Sequence, residues 1–130
     1  MRHGKTPARN WRLYFDRHTA LGRFSWQLTI NSSMTTGMTL TAGDVGGMLW
    51  VCLGALAATL YLHRGRAGMP ELVGVGMLLG FYWEGWALYF GLLSYPYTDV
   101  LPPHVGPMWG VIAAMAVCIY GLFQDTKPKA

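Results

Sequence analysis

The sequence predicts an all-α integral membrane protein, in which three transmembrane helices pack through small residues and follow a basic N-terminal extension. Hydrophobic residues make up 52% of the 130 positions and charged residues only 12%, whereas soluble domains carry about 25% charged residues. Three long apolar stretches follow one another from residue 45 onward, and lipid is the natural solvent for such stretches. The basic residues lie outside these stretches, in flanking segments, and do not indicate a nucleic-acid-binding surface.

The first 44 residues predict a basic extension followed by a linker. Six lysines and arginines precede residue 24 and stand among aromatic residues, which fits either a short interfacial helix or a disordered extension. The stretch 31–44, NSSMTTGMTLTAGD, is small and polar and is typical of a linker. Met34 and Met38 lie within this stretch and stay open as alternative starts of translation. Asp44, at its end, suits the N-cap of the next helix.

Three spans of about 20 residues, the length that crosses a bilayer as a helix, are predicted after the linker. The first covers 45–63 and has no charged residue. The second covers 72–95, contains Glu84 near its middle and ends before a proline. The third covers 105–123 and is wholly apolar, and a polar tail over 124–130 closes the chain.

The basic residues next to the spans predict an orientation. Arg64 and Arg66 lie in the first loop, and two lysines lie in the C-terminal tail, so this loop and the C-terminus are expected in the cytoplasm. The N-terminus is then expected on the outer side. The arginines before residue 24 argue against that placement, but they lie about 20 residues from the first span, where such charges count for little.

Small residues recur every four positions in each predicted span, and this spacing places them on one helix face. In lipid, close packing through such residues supplies much of the attraction between helices. The expected helix-packing residues are Gly54, Ala58, Gly76, Gly80, Gly106, Gly110 and Ala114.

Glu84 is the strongest candidate for a functional residue, because an ionised carboxylate at the bilayer centre costs roughly a few kcal/mol. It follows Gly80 by four residues, so we expect it to face another helix or a cavity rather than lipid. Three interpretations stay open: a hydrogen bond that fixes helix packing, a proton or cation site, and a catalytic carboxyl or cofactor ligand. The aromatic residues expected to surround it are Tyr82, Trp83, Trp86 and Tyr89.

The second loop offers two further polar candidates, Asp99 and His104, which would form an acid–base pair if they met. A solvated role is the more common one for lone loop residues of these types. The aromatic residues beside them, Tyr95, Tyr97 and Trp109, are typical of a membrane-interface belt.

No metal, haem or phosphate-binding pattern is present in the sequence. The four histidines include no pair at i and i+4, and no cofactor is indicated. Cys52 and Cys118 fall within apolar stretches and are expected to be buried as small hydrophobic residues.

These observations favour a non-enzymatic role, as a small accessory or assembly subunit of a larger membrane complex. The expected partners are membrane lipids together with another protein or further copies of the chain, and the compact design fits a bacterial inner membrane. One alternative is a homo-oligomeric proton-coupled transporter or channel built around Glu84. A weaker alternative is a lipid- or isoprenoid-modifying enzyme that uses Glu84, Asp99 and His104.

Overall fold

The computed structural model describes residues 11–126, and every regular element in that range is helical. A 3₁₀ turn at Trp11–Tyr14 precedes four α-helices. Residues 1–10 of the predicted extension and 127–130 of the predicted tail lie outside the described residues. The helices are α1 (Ala20–Leu40), α2 (Val45–Leu62), α3 (Met69–Tyr89) and α4 (Val105–Thr126).

Helix α1 replaces most of the predicted linker, and only residues 41–44 join it to α2. Thr19 caps its start, accepting a hydrogen bond from the Gly22 amide at 2.9 Å. Its serines and threonines made the stretch look like a linker. Four hydroxyls of α1, on Ser25, Thr29, Thr35 and Thr39, instead donate to carbonyls four residues earlier, a geometry that satisfies them within the helix.

Helices α2 and α4 match the first and third predicted spans. Both are long and apolar enough to cross a membrane, over Val45–Leu62 and Val105–Asp125. The predicted cap of α2 is confirmed, because the Asp44 carboxylate accepts a hydrogen bond from the Gly47 amide at 3.1 Å.

Helix α3 is shifted relative to the second predicted span, 72–95, and ends at Tyr89. Gly91 takes a positive φ of 73° directly after the helix, a conformation that ends helices and favours glycine. The sequence signal at the later proline therefore placed the helix end too late. Among the described residues, only α2 and α4 are long and apolar enough to cross a membrane, and neither α1 nor α3 is, so three spans are not confirmed.

The helices alternate in direction, and α4 packs against each of the other three while α3 packs chiefly against α4. One buried cluster joins Met34 of α1, Cys52 and Ala55 of α2 and Val111 of α4. A second cluster joins α3 to α4 through residues that include Ala114.

The N-terminus of α1 lies beside the first loop, not on the opposite side of the molecule. Arg17 Nη1 donates to the Arg64 carbonyl at 3.0 Å and to the Leu62 carbonyl at 3.5 Å. The start of α1 therefore lies at the same end as the first loop, whereas the sequence predicted the N-terminus on the other side; α1 adds one more passage along the bundle. We call this region, which contains Arg17, Arg23, Arg64 and Arg66, the basic end.

Candidate functional site

Glu84 is buried between α3 and the elements beside it, with 9% of its surface exposed. The indole Nε1 of Trp109, on α4, donates a hydrogen bond to Glu84 Oε2. The hydroxyl of Tyr95, in the loop after α3, donates to Glu84 Oε1. Both carboxyl oxygens thus accept a hydrogen bond, and the three side chains join α3, α4 and their connecting loop.

Glycine one turn before Glu84 makes room for this arrangement. A methyl group added at Gly80 would overlap the Trp109 side chain, and one at Gly106 would overlap the Phe81 ring. The two helices therefore approach closely enough for the Trp109 indole to reach the carboxylate. Gly80 and Glu84 were predicted to share one face of α3, and both lie at this contact.

The aromatic side chains predicted around Glu84 do not contact it through hydrogen bonds and point outward. The exposed fractions are 64% for Tyr82, 66% for Trp83, 52% for Trp86 and 84% for Tyr89. The rings that bind Glu84 come from other segments, because neighbours in a helix sequence face different directions. Sequence reasoning placed Tyr95 and Trp109 in an interface belt and did not associate them with the carboxylate.

The outward rings of α3 form a continuous strip. The ring centroids of Tyr82 and Trp86 are 6.0 Å apart, and those of Trp86 and Phe90 are 4.9 Å apart. A shallow surface groove lies along these rings and includes Phe81 and Tyr89. We call this surface, formed by Tyr82, Trp86, Tyr89 and Phe90, the aromatic face.

The predicted acid–base pair in the second loop is not assembled among the described residues. Asp99 is exposed, whereas His104 is 2% exposed and its Nδ1 has no hydrogen-bond partner there. Burial lowers the pKa of His104, and the negative charge of Glu84 opposes the shift. The described residues therefore do not bring Asp99 and His104 together as the pair that the weaker enzyme alternative would use.

The predicted helix-packing residues divide into two groups. Those of α3 and α4 lie at the contact between these helices, where an added methyl at Gly76 would come within 2.5 Å of Ala113 and one at Gly110 within 2.9 Å of Met77. Ala114 is fully buried nearby. Gly54 and Ala58 of α2 are exposed instead, and nothing lies within 4 Å of a methyl group added at Gly54.

A buried polar network near the basic end was missed by sequence reasoning. Gln27, fully buried in α1, donates from Nε2 to Thr59 Oγ1 at 3.0 Å, and its Oε1 lies 2.9 Å from His63 Nε2. Cys118 Sγ lies 3.7 Å from the same His63 nitrogen. The four-residue spacing of Thr59 and His63 was the available signal, because it places both on one face of α2.

The two cysteines are free and buried. The described residues include no group of three or more histidine, cysteine, aspartate or glutamate side chains that would hold a metal ion. No protein-family model, curated protein or solved structure matches the chain.

Proposed function

We propose that the chain is a small polytopic membrane protein that serves as an accessory or assembly subunit of a larger membrane complex. Support for the membrane comes from the outer surface of the bundle. Only 22% of the α2 span and 39% of the α4 span are buried within the chain, whereas the core helix of a soluble protein is mostly covered. Tyr120 and Phe123 of α4 and Trp50 of α2 are more than half exposed.

Helix α1 is compatible with lipid despite its polar composition. A helix of 21 residues is about 31 Å long, close to the roughly 30 Å of the hydrocarbon core. Its back-bonded hydroxyls carry their own acceptors, as hydroxyl groups in membrane helices do. Its most polar buried side chain, Gln27, is bound within the bundle.

The observation that carries the subunit proposal is the uncovered aromatic face of α3. This helix packs chiefly against α4, so the side that bears Tyr82, Trp86 and Phe90 has no covering element in the described part of the chain. Tyrosine and tryptophan have polar groups that find partners when buried, and they are enriched at protein interfaces. A hydrophobic helix of a different protein, with hydrogen-bond acceptors for these groups, fits this face better than lipid tails do.

The hydrogen bonds of Glu84 support the packing interpretation of that residue over the transport interpretation. Each oxygen is engaged by a donor of the same chain, Trp109 or Tyr95, so the carboxylate already has the partners that a buried polar group needs. Its role in this proposal is to hold α3 at a fixed angle on α4 and so to present the aromatic face.

The test is native mass spectrometry on the tagged chain, extracted from its own membranes in mild detergent. We expect a stoichiometric complex with larger, different proteins. Trp86→Ala is expected to dissociate that complex, whereas Trp50→Ala, which removes an indole of α2 that is still more exposed than that of Trp86, is expected to retain it.

Two outcomes would contradict the proposal. A complex that survives Trp86→Ala and Tyr82→Ala together would remove the aromatic face from the interface. A pure homo-oligomer would instead favour the transporter alternative. Flux measurements on vesicles containing Glu84→Gln would then decide that alternative, which requires the carboxylate.

A further inference from the structure

A surface groove of about 610 Å³ runs between α1 and α2, within the roughly 300–1,000 Å³ of typical ligand clefts. It is separate from the Glu84 contact and from the aromatic face. Its inner part is apolar, and two arginines, Arg17 and Arg64, lie at one end. The apolar lining includes Phe15, Trp26, Ile30, Val51, Gly54 and Ala58.

The floor of the groove is made by small residues that have no helix against them. Gly54 and Ala58 have the spacing of a helix-packing stripe but are exposed, and the space above Gly54 is open to beyond 4 Å. A stripe of this kind lets a slender apolar chain approach the helix backbone. The small residues alone do not identify the ligand of the groove. The walls and the charged end of the groove do.

One wall is an aromatic pair held in place by a hydrogen bond. Trp26 Nε1 donates to the Phe15 carbonyl at 2.9 Å, and the two rings meet edge to face with centroids 5.9 Å apart. The wall therefore exists before any ligand binds, which reduces the ordering cost of binding.

The two arginines at the charged end of the groove are also held by hydrogen bonds, and each has further N–H donors. Arg17 uses Nη1 for the Leu62 and Arg64 carbonyls. Arg64 uses Nη1 for the Tyr61 carbonyl at 2.7 Å and lies 3.9 Å from the centre of the Tyr61 ring. Their other guanidinium nitrogens make no hydrogen bond to any described residue. Guanidinium groups bind phosphate through paired donors, so this end is complementary to a phosphate group.

The length of the groove matches one membrane leaflet. Along α2 it extends from Val51 to Leu62, which is about 16 Å of helix, and half of a hydrocarbon core is about 15 Å. The arginines lie at the basic end, where a headgroup would be, and the apolar floor runs inward from them. We propose that the groove holds one acyl chain of an anionic phospholipid, with its phosphate on Arg17 and Arg64.

The proposal is tested by native mass spectrometry on the purified protein in detergent, titrated with phosphatidylglycerol or with phosphatidylcholine. We expect one phosphatidylglycerol to be retained at concentrations where phosphatidylcholine is not. An arginine near the membrane surface contributes about 1 kcal/mol to the binding of anionic lipid. Arg64→Gln should therefore weaken binding about fivefold, and the double variant with Arg17→Gln about thirtyfold. Arg66→Gln removes the same charge from the same end outside the groove lining and should change binding less than twofold.

A second pair of variants tests the apolar part without changing charge. Gly54→Leu fills the floor of the groove, and Gly74→Leu places the same side chain at an equally open glycine of α3. We expect the first to abolish retention of the lipid and the second to leave it intact, with thermal unfolding in detergent confirming that both variants fold. Equal retention of the two lipids, or unchanged binding in Gly54→Leu, would overturn the proposal. A dimer lost on Gly54→Leu would assign the groove to a second copy of the chain instead.

Discussion

Replacement of Glu84 by leucine removes the acceptor of two partly buried hydrogen bonds and leaves two donors, Trp109 Nε1 and the Tyr95 hydroxyl, without that acceptor. Side-chain hydrogen bonds within membrane proteins contribute about 0.6 kcal/mol on average and up to about 1.7 kcal/mol each. The loss of both therefore lowers the free energy of unfolding by roughly 1–3 kcal/mol. Leucine is of similar size, so little of this loss comes from a cavity.

Glutamine at the same position should restore most of this stability. Its amide oxygen can accept from Trp109, which can only donate, while its amide nitrogen donates to the Tyr95 hydroxyl, which can also accept. Glu84→Gln is therefore expected to unfold within about 1 kcal/mol of the natural protein. The comparison separates the need for an acceptor from the need for a charge.

The assay is unfolding by sodium dodecyl sulfate in mixed micelles, followed by far-ultraviolet circular dichroism. Trp109→Phe removes one bond from the donor side, and its combination with Glu84→Leu closes a double-mutant cycle. Because Trp109 and Glu84 share one hydrogen bond, the two effects should be less than additive. Equal destabilisation of Glu84→Gln and Glu84→Leu would contradict a role limited to accepting hydrogen bonds, because the ionised carboxylate itself would then be essential.

Three further predictions concern helix packing, pH and orientation. Gly80→Ala should lower the unfolding free energy by about 1–3 kcal/mol, because its methyl group overlaps a fixed indole, while Gly54→Ala should change it little; equal effects in the same micelle assay would contradict this. Since burial lowers the pKa of His104 from 6.5, the unfolded state binds the proton more readily, and stability should fall as the pH decreases below about 6.5. Thermal unfolding midpoints between pH 7 and 5 measure this, and His104→Asn should reduce the fall. Because arginines mark the cytoplasmic side, a cysteine replacing Ala42 should react with an impermeant maleimide on intact cells and one replacing Ala67 should not; the reverse pattern would invert the orientation.

The elements predicted correctly are those whose stability depends on apolar composition alone. Helices α2 and α4 are continuous apolar stretches between polar boundaries, and Asp44 was recognisable as a cap because cap chemistry is local. Helix α1 was not predictable in the same way. Its stability depends on hydrogen bonds between distant residues, which the composition of the segment does not reveal. One is the bond between Gln27 and Thr59, which are 32 positions apart in the sequence.

The candidate site was predictable in position but not in partners. The cost of a carboxylate in lipid and the spacing from Gly80 were sufficient to place Glu84 towards another helix. Which donors meet it depends on the end of α3 and on the register of α4. The positive φ at Gly91 ends α3 early enough for the loop to return, and Tyr95 then reaches the carboxylate. Local sequence favoured the four aromatic neighbours instead, all of which face outward.

Helix α1 changes the orientation that the basic residues indicate, as well as the number of helices. With three spans, the N-terminal arginines contradicted the orientation that Arg64 and Arg66 indicated. With four helices, Arg17 and Arg64 lie together, and the connecting segments at the opposite end, 41–44 and 90–104, contain no lysine or arginine. In the membrane arrangement that we propose, the basic residues next to the helices would all mark the same end as cytoplasmic.

The arginines of the α1–α2 groove, Arg17 and Arg64, lie at that end, where the proposal would place them among the anionic headgroups of the cytoplasmic leaflet. The aromatic face lies on α3, which packs chiefly against α4 and contributes no residue to the groove lining. Lipid and protein partner would thus occupy surfaces formed by different helices and need not compete. Variants of the two surfaces should therefore have separate effects. Arg64→Gln should weaken lipid binding without dissociating the complex, and Trp86→Ala should dissociate the complex without releasing the lipid. Joint loss in either variant would mean that the lipid lies between the subunits.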